Sequence, residues 1–104
     1  MTSLRGLQKE IAAWADSLIP ERTAQNAIAK LMLEEIPELL LNPSDELEYA
    51  DVVILVLDIA HLQGINIEQA VMKKMAINRG REWAVDPATG LMKHKHKVII
   101  NEHS

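Results

Sequence analysis

Cysteine is absent from this 104-residue chain. That excludes disulfides, thiolate metal sites and a cysteine nucleophile, and it is compatible with a reducing compartment. Phenylalanine is absent too, and the aromatic residues amount to two Trp and one Tyr. Leu, Ile, Val, Ala and Met must therefore do the packing, which suits helices better than a sandwich of strands. Positive charge is short as well: the formal net charge is −4 and no basic stripe spans the chain, which argues against nucleic acid as a partner. The longest apolar run, Val52 to Leu57, is far too short to cross a bilayer, and the start, MTSLRGLQKEIAAWAD, is charged and lacks the apolar region of a signal peptide. A cytoplasmic soluble protein with no membrane partner is expected. What the chain does have is 48% hydrophobic residues, enough for one core in one domain.

Leu4, Leu7, Ile11, Trp14 and Leu18 recur at spacings of three and four, so residues 3–18 read as an amphipathic helix, ended by Pro20. A second helix is expected from about Thr23 to Leu41, with Ala27, Ile28, Leu31, Met32, Ile36, Leu39 and Leu40 facing inward. Pro37 sits inside it, removes a donor and clashes with the preceding turn, so a kink is expected there. Asn42 or Ser44 can cap a third helix running to about Gln63, with Gly64 as its C′ residue. The middle of that helix, VVILVLDIA, is apolar nearly all round and calls for burial on most sides, in a bundle centre or a subunit interface. Asn66 with Gln69 has the form of a capping box for a fourth helix reaching about Trp83. The turn-rich segment 86–90 and a basic, His-containing tail follow. The expected architecture is an all-α, four-helix bundle-like domain over residues 1–83 with a tail, 84–104, that is partly extended or mobile. A lone bundle with so apolar a third helix would expose too much, so a homodimer or dimer of dimers is expected.

Two acidic patterns carry the candidate chemistry. Glu35 and Glu38 form E-x-x-E near the end of helix two, and Glu48 and Asp51 form E-x-x-D near the start of helix three. Residues three apart share a helix face, and the intervening turn lets the two pairs face each other across an antiparallel hairpin, with axes about 8–10 Å apart. Four converging carboxylates repel one another unless a cation sits among them. An all-oxygen set favours Mg²⁺, with Mn²⁺ able to substitute, over Zn²⁺, and Mg²⁺ sites shared with substrate phosphates suit transfer of a phosphoryl or nucleotidyl group to water. Ordinary solvated helix acids are the competing reading. Against it, Glu38 and Asp51 both border the apolar segments of the chain, where acids need partners.

The stretch LMLEEIPELL…DELEYADVVILVLDIAHLQGINIEQAVMKKMAINRGREW resembles the MazG-like nucleotide pyrophosphohydrolases of the all-α NTP pyrophosphatase superfamily. The likeness covers roughly residues 24–83 and includes the E-E-x-x-E-L, E-x-x-D and G-I-N-I-E-Q-A elements and a K-x-x-x-N-x-x-R ending. The resemblance implies a MazG fold that converts a nucleoside triphosphate and water to the monophosphate and pyrophosphate. It implies Glu35, Glu38, Glu48 and Asp51 as Mg²⁺ ligands, the ions activating a water for attack on the α-phosphorus, and Glu38 or Glu35 as acceptor of that water's proton. Lys74, Asn78 and Arg81 would contact phosphates or base from one helix face, and Trp83, by its place after that pattern rather than by the resemblance, is read as a substrate contact that can stack on the base. EIAAWAD and RGREW are similar to a phage-associated branch, which points to a dNTP substrate, dATP or dGTP. Pro37 departs from the residues expected between the two glutamates, and a kink there would re-aim Glu38. Glu34, about 100° away from Glu35, is either solvent-facing or a replacement ligand.

Other residues have blander readings. Asp58 is expected to be a satisfied buried acid, Trp14 a core residue and His61 a core-edge residue. His94 and His96 are read as part of a solvated tail. Two rival functions compete with the enzyme. One is a non-catalytic helical interaction module that keeps the fold. The other is a di-iron or di-manganese bundle, which normally needs E-x-x-H pairs that this chain lacks.

Overall fold

The structure is a computed structural model and describes residues 3–95; His96 lies outside the described residues. Five α-helices and one hairpin succeed one another: α1 (Leu4–Leu18), α2 (Ala24–Lys30), a π-helical turn (Leu31–Glu35), α3 (Ile36–Leu41), α4 (Glu46–Leu62), α5 (Ile67–Arg79), β1 (Trp83–Val85) and β2 (Met92–His94). Among the described residues, no single helix is long and apolar enough to cross a membrane. The described residues divide into two compact units, with the break inside α5 between Ala70 and Val71.

In the first unit α1 packs on α4, and α4 also meets α2, the π turn and α3. Ser3 starts α1, its Oγ accepting from the Gly6 N–H at 2.9 Å. The face that α1 buries is only in part the one its large apolar residues mark. Gln8, Ile11 and Ala12 are buried, whereas Trp14 and Leu18 are 62% and 60% exposed. Trp14 is therefore a surface residue of this chain and not part of its core. The reason is Gln8, fully buried and fully used. Its Nε2 donates to the carbonyls of Leu57 (3.1 Å) and Ile65 (2.9 Å). Its Oε1 accepts from Arg5 Nη1 (3.1 Å) and from the Ile67 N–H (3.2 Å). One side chain thus ties α1 to the end of α4 and the start of α5, satisfying backbone groups that a helix–helix turn leaves open.

The second predicted helix is present over residues 24–41, but not as a regular α-helix. Thr23 caps it, its Oγ1 accepting from the Asn26 N–H at 3.2 Å. The disturbance expected at Pro37 takes the form of the π turn one turn earlier, where the Ile36 N–H reaches back to the Leu31 carbonyl. An extra residue in that turn sets Pro37 at the start of α3, where a missing donor is tolerated. Neither expected cap of α4 does that work. Pro43 and Ser44 form a turn, Asn42 closes α3 by donating from Nδ2 to the Glu38 carbonyl at 3.1 Å, and Asp45 caps α4, its Oδ1 accepting from the Leu47 N–H at 2.9 Å. Gly64 ends α4 as expected, at φ 70°. Gly64 N–H bonds to the His61 carbonyl (2.9 Å) and Ile65 N–H to that of Ala60 (2.8 Å), the paired bonds of a Schellman ending. Asn66 Oδ1 then accepts from the Gln69 N–H at 3.2 Å to start α5.

Within the single chain α4 is less enclosed than its composition demands. Leu57, Asp58 and Ala60 are buried, but Val53, Ile54 and Val56 are exposed, as are Leu33, Leu40, Leu41 and Leu47. His61 is exposed and not at the edge of the core.

In the second unit α5 stops at Arg79, so Trp83 is not helical as expected. Gly80 and Arg81 instead form a closing turn, with the Arg81 N–H bonded to the Asn78 carbonyl at 3.2 Å. Trp83 opens a two-stranded antiparallel hairpin in register with His94. Its Nε1 donates to the Asn78 carbonyl at 2.7 Å, and its ring meets that of His94 edge-on at 5.8 Å. Gly90, at φ 71°, occupies the left-handed position that the connecting turn requires.

Candidate functional site

The helical hairpin of α2, the π turn, α3 and α4 brings the two acidic pairs together. Glu35 ends the π turn, Glu38 lies in α3, and Glu48 and Asp51 lie in the first two turns of α4. One carboxylate oxygen from each of the four lies within 4.8 Å of the others. Glu35 is buried, Glu48 partly so, and Glu38 and Asp51 face solvent. The proline does not turn Glu38 away: the π turn takes up the irregularity, and α3 presents Glu38 to the same point as Glu35.

The electrostatics of the cluster are unfavourable as it stands. Glu35 Oε2 and Glu48 Oε2 are buried with no hydrogen-bond partner. The Glu48 carboxyl is pushed above its usual range, first by desolvation and then by repulsion from Glu38, Asp45, Asp51 and Glu35. Lys30 Nζ is 3.2 Å from Glu35 Oε1 and 3.2 Å from Glu34 Oε1, and its ammonium is held above the usual range by hydrogen bonds to Glu34 and then to Glu35. Glu34 itself is exposed and stands outside the acidic quartet.

Beside the carboxylates lies a cavity of about 550 Å³. Ile11, Trp14, Ile54 and Leu55 give it apolar walls, Asn26 and Thr23 contribute polar ones, and Glu35 and Asp51 belong both to its lining and to the acidic cluster. A largely buried ion pair, Arg22 with Asp58, also lines it. Arg22 Nε and Nη2 each sit 2.7 Å from an oxygen of Asp58, and Nη1 is 2.7 Å from Asp16. These contacts raise the Arg22 guanidinium further above its ordinary value. Asp58 is thus the satisfied buried acid that the sequence suggested. Arg22 was not singled out from the sequence, since nothing in its linker position marks it. Asn26 was not read as a site residue either, and the apolar spacing of α1 assigned Trp14 to the core rather than to the cavity it lines.

Of the α5 candidates, Lys74 and Asn78 are four apart on the helix, and Arg81 lies beyond its end, so the three do not share one helix face. Asn78 Oδ1 is buried without a hydrogen-bond partner.

A profile of the dATP/dGTP pyrophosphohydrolase family matches residues 7–101. The chain belongs to this family. A dATP/dGTP diphosphohydrolase of Cyanophage S-2L is 50% identical over 90 residues, covering 85% of this chain and 84% of that protein. Another, of Salmonella phage PMBT28, is 49% identical over 82 residues, which are 78% of this chain but 28% of the larger relative. Among solved structures, a Cyanophage S-2L MazG-like pyrophosphohydrolase bound to dGDP and three catalytic Mn²⁺ ions per active site matches with a TM-score of 0.80. It is 47% identical, and the match covers 92% of this chain and all of that one. The MazG-like resemblance and its phage-associated branch are thereby established. The chain is a hydrolase of the pyrophosphohydrolase type with a mostly helical, MazG-like fold.

Proposed function

We propose that the chain hydrolyses dATP and dGTP to the monophosphates and pyrophosphate, using Mg²⁺, with Mn²⁺ able to substitute, held by Glu35, Glu38, Glu48 and Asp51. The observation that carries this is the convergence of four carboxylates within 4.8 Å beside a nucleotide-sized cavity. The cluster fits a hard divalent cation: its donors are all oxygen, and two of its buried oxygens have no partner. A divalent cation held by these four residues would offset the charge of the triphosphate and lower the pKa of a water placed for attack on the α-phosphorus.

The residues of the chain do the rest. Glu38 or Glu35 takes the proton from that water, a role worth about 10²–10⁴ in rate. The cavity receives the purine and its sugar, with Trp14 presenting an aromatic face and Asn26 a paired donor and acceptor. Lys74, Asn78, Arg81 and Trp83 contact the phosphates or base. The dATP and dGTP assignment follows the activity named for both phage relatives and the dGDP in the related structure.

The large apolar residues that α3 and α4 leave exposed, Leu40, Leu41, Leu47 and Val53 among them, support assembly as a homodimer or dimer of dimers. The composition and the absence of a spanning helix among the described residues fit a cytoplasmic location.

The test is incubation with Mg²⁺ and each common NTP and dNTP, with chromatographic separation of products, beside a Glu48→Gln, Asp51→Asn variant. Monophosphate and pyrophosphate from dATP and dGTP, lost in the variant, is the expected result. Release of orthophosphate would place attack at the γ-phosphorus and refute the proposed chemistry. Sedimentation at micromolar concentration tests the assembly, and a monomer there rejects it.

A further inference from the structure

We propose that Lys30 is a resident counter-cation of the acidic site: it holds Glu35 in the metal-free protein and is displaced from it when a divalent cation binds. The inference rests on the reading of the four carboxylates as metal ligands. Three observations carry it.

The first is reach. Lys30 and Glu34 are an ordinary i, i+4 pair. Glu35 is one residue further, roughly 140° around a regular α-helix from Lys30, and yet its Oε1 is 3.2 Å from Nζ. The π turn over Leu31–Glu35, with its i→i+5 bonding, swings Glu35 back onto the Lys30 face. The same local irregularity therefore aims Glu35 into the quartet and gives it a cation from its own helix.

The second is incompleteness. In the Arg22–Asp58 pair both carboxylate oxygens are bonded. Glu35 offers Lys30 one oxygen, while Oε2 stays buried without a partner. A structural ion pair that left half of a buried carboxylate unsatisfied would be a poor one, whereas a placeholder needs only to offset the charge until a better cation arrives.

The third is mobility at low cost. The Lys30 side chain is 49% exposed, so its ammonium can return to water without the penalty of moving a buried charge. Lys30 also lines the cavity beside the carboxylates. Once released from Glu35 it remains next to the substrate, with a positive charge available for the phosphates.

Two readouts on the full chain without nucleotide test this. Binding of Mn²⁺ alone is measured by titration calorimetry for the natural protein and for Lys30→Met. Reductive methylation of Lys30, followed by mass spectrometry with Lys9 as reference, is measured in the natural protein with and without Mn²⁺. Lys30→Met is expected to bind Mn²⁺ about two- to five-fold more tightly, the range for a half-exposed pair that no longer competes. A merely structural defect would weaken binding instead. Methylation of Lys30 is expected to rise when metal is added. If Mn²⁺ affinity in Lys30→Met is unchanged or lower, or if metal leaves Lys30 reactivity as it was, displacement does not occur and the proposal falls while the quartet stands. If the natural protein binds no Mn²⁺ at all, the ligand reading itself is wrong and the counter-cation goes with it.

Discussion

The Arg22–Asp58 pair offers the sharpest test of how the cavity is built. Their side chains are 11% and 8% exposed, and Arg22 also reaches Asp16, which is 57% exposed. Replacing Arg22 by Met leaves the Asp58 carboxylate buried against α1 and α4 with no counter-charge. Breaking a buried pair from one side costs about 3–5 kcal/mol, against a total stability of about 5–15 kcal/mol for a domain. In a chain of this size the loss should lower Tm by at least about 12 °C. Asp58→Leu should cost less, because Arg22 keeps Asp16 and can lean towards solvent. The double variant Arg22→Met, Asp58→Leu should recover most of the loss, since two apolar side chains of similar volume remove the uncompensated charge. Urea denaturation of the three variants at pH 7 and constant protein concentration supplies the double-mutant cycle. A cost below about 1 kcal/mol for Arg22→Met, the range of exposed pairs, would show that the pair is solvated and that the cavity wall does not depend on it.

Four further outcomes are expected. Gln8→Leu should destabilise by about 1–3 kcal/mol for each buried backbone group left open, with the Ile65 carbonyl and Ile67 N–H the chief losses, read as a lower urea midpoint. Trp14→Ala should leave stability within about 0.5 kcal/mol, as for an exposed site, yet raise KM for dATP and dGTP; a stability loss with unchanged KM would return Trp14 to a structural role. Glu38→Gln should lower kcat by about 10²–10⁴ if it takes the proton, and a loss below tenfold would remove it from that role. Because folding raises the Glu48 pKa, that carboxyl contributes stability below its unfolded pKa of about 4.3, and the contribution is lost as pH rises through the folded value. Glu48→Gln should therefore raise Tm in EDTA at pH 7, with the gain vanishing in acid, while added Mg²⁺ should stabilise the natural protein and not the variant.

The acidic quartet was legible because it needs only local information: two pairs at helical spacing and a turn short enough to fold one helix back on the other. The capping at Asn66 and the left-handed Gly64 were legible for the same reason, as each is written in a few adjacent residues. The buried face of α1 was not. Periodicity selects Leu4, Leu7, Ile11, Trp14 and Leu18, whereas of these the chain buries Ile11 and adds Gln8 and Ala12, because the α4–α5 turn presents unpaired backbone groups that only a polar side chain can meet. Arg22 was hidden likewise: its partner Asp58 is thirty-six residues away, and no spacing rule relates a linker arginine to the middle of an apolar helix. The end of α5 was misplaced because a strand-forming Trp83 follows a helical pattern closely, and its pairing partner His94 lies across a turn.

Pro37 shows how an apparent defect and a functional requirement can have one solution. A proline at that position excludes an undisturbed α-helix, and the sequence alone suggests that the glutamates beside it suffer. The chain answers with one extra residue in the preceding turn. In a straight helix Lys30 would pair with Glu34 alone, and Glu35 would enter the acidic cluster with no cation from its own helix. With the π turn, Lys30 reaches Glu34 and Glu35 together, while Glu38 follows the proline back to the same point. The cost of a weaker hydrogen-bond ladder over Leu31–Glu35 is thus offset where repulsion is greatest. On this argument the irregular turn is part of what makes four close carboxylates tolerable before a metal arrives.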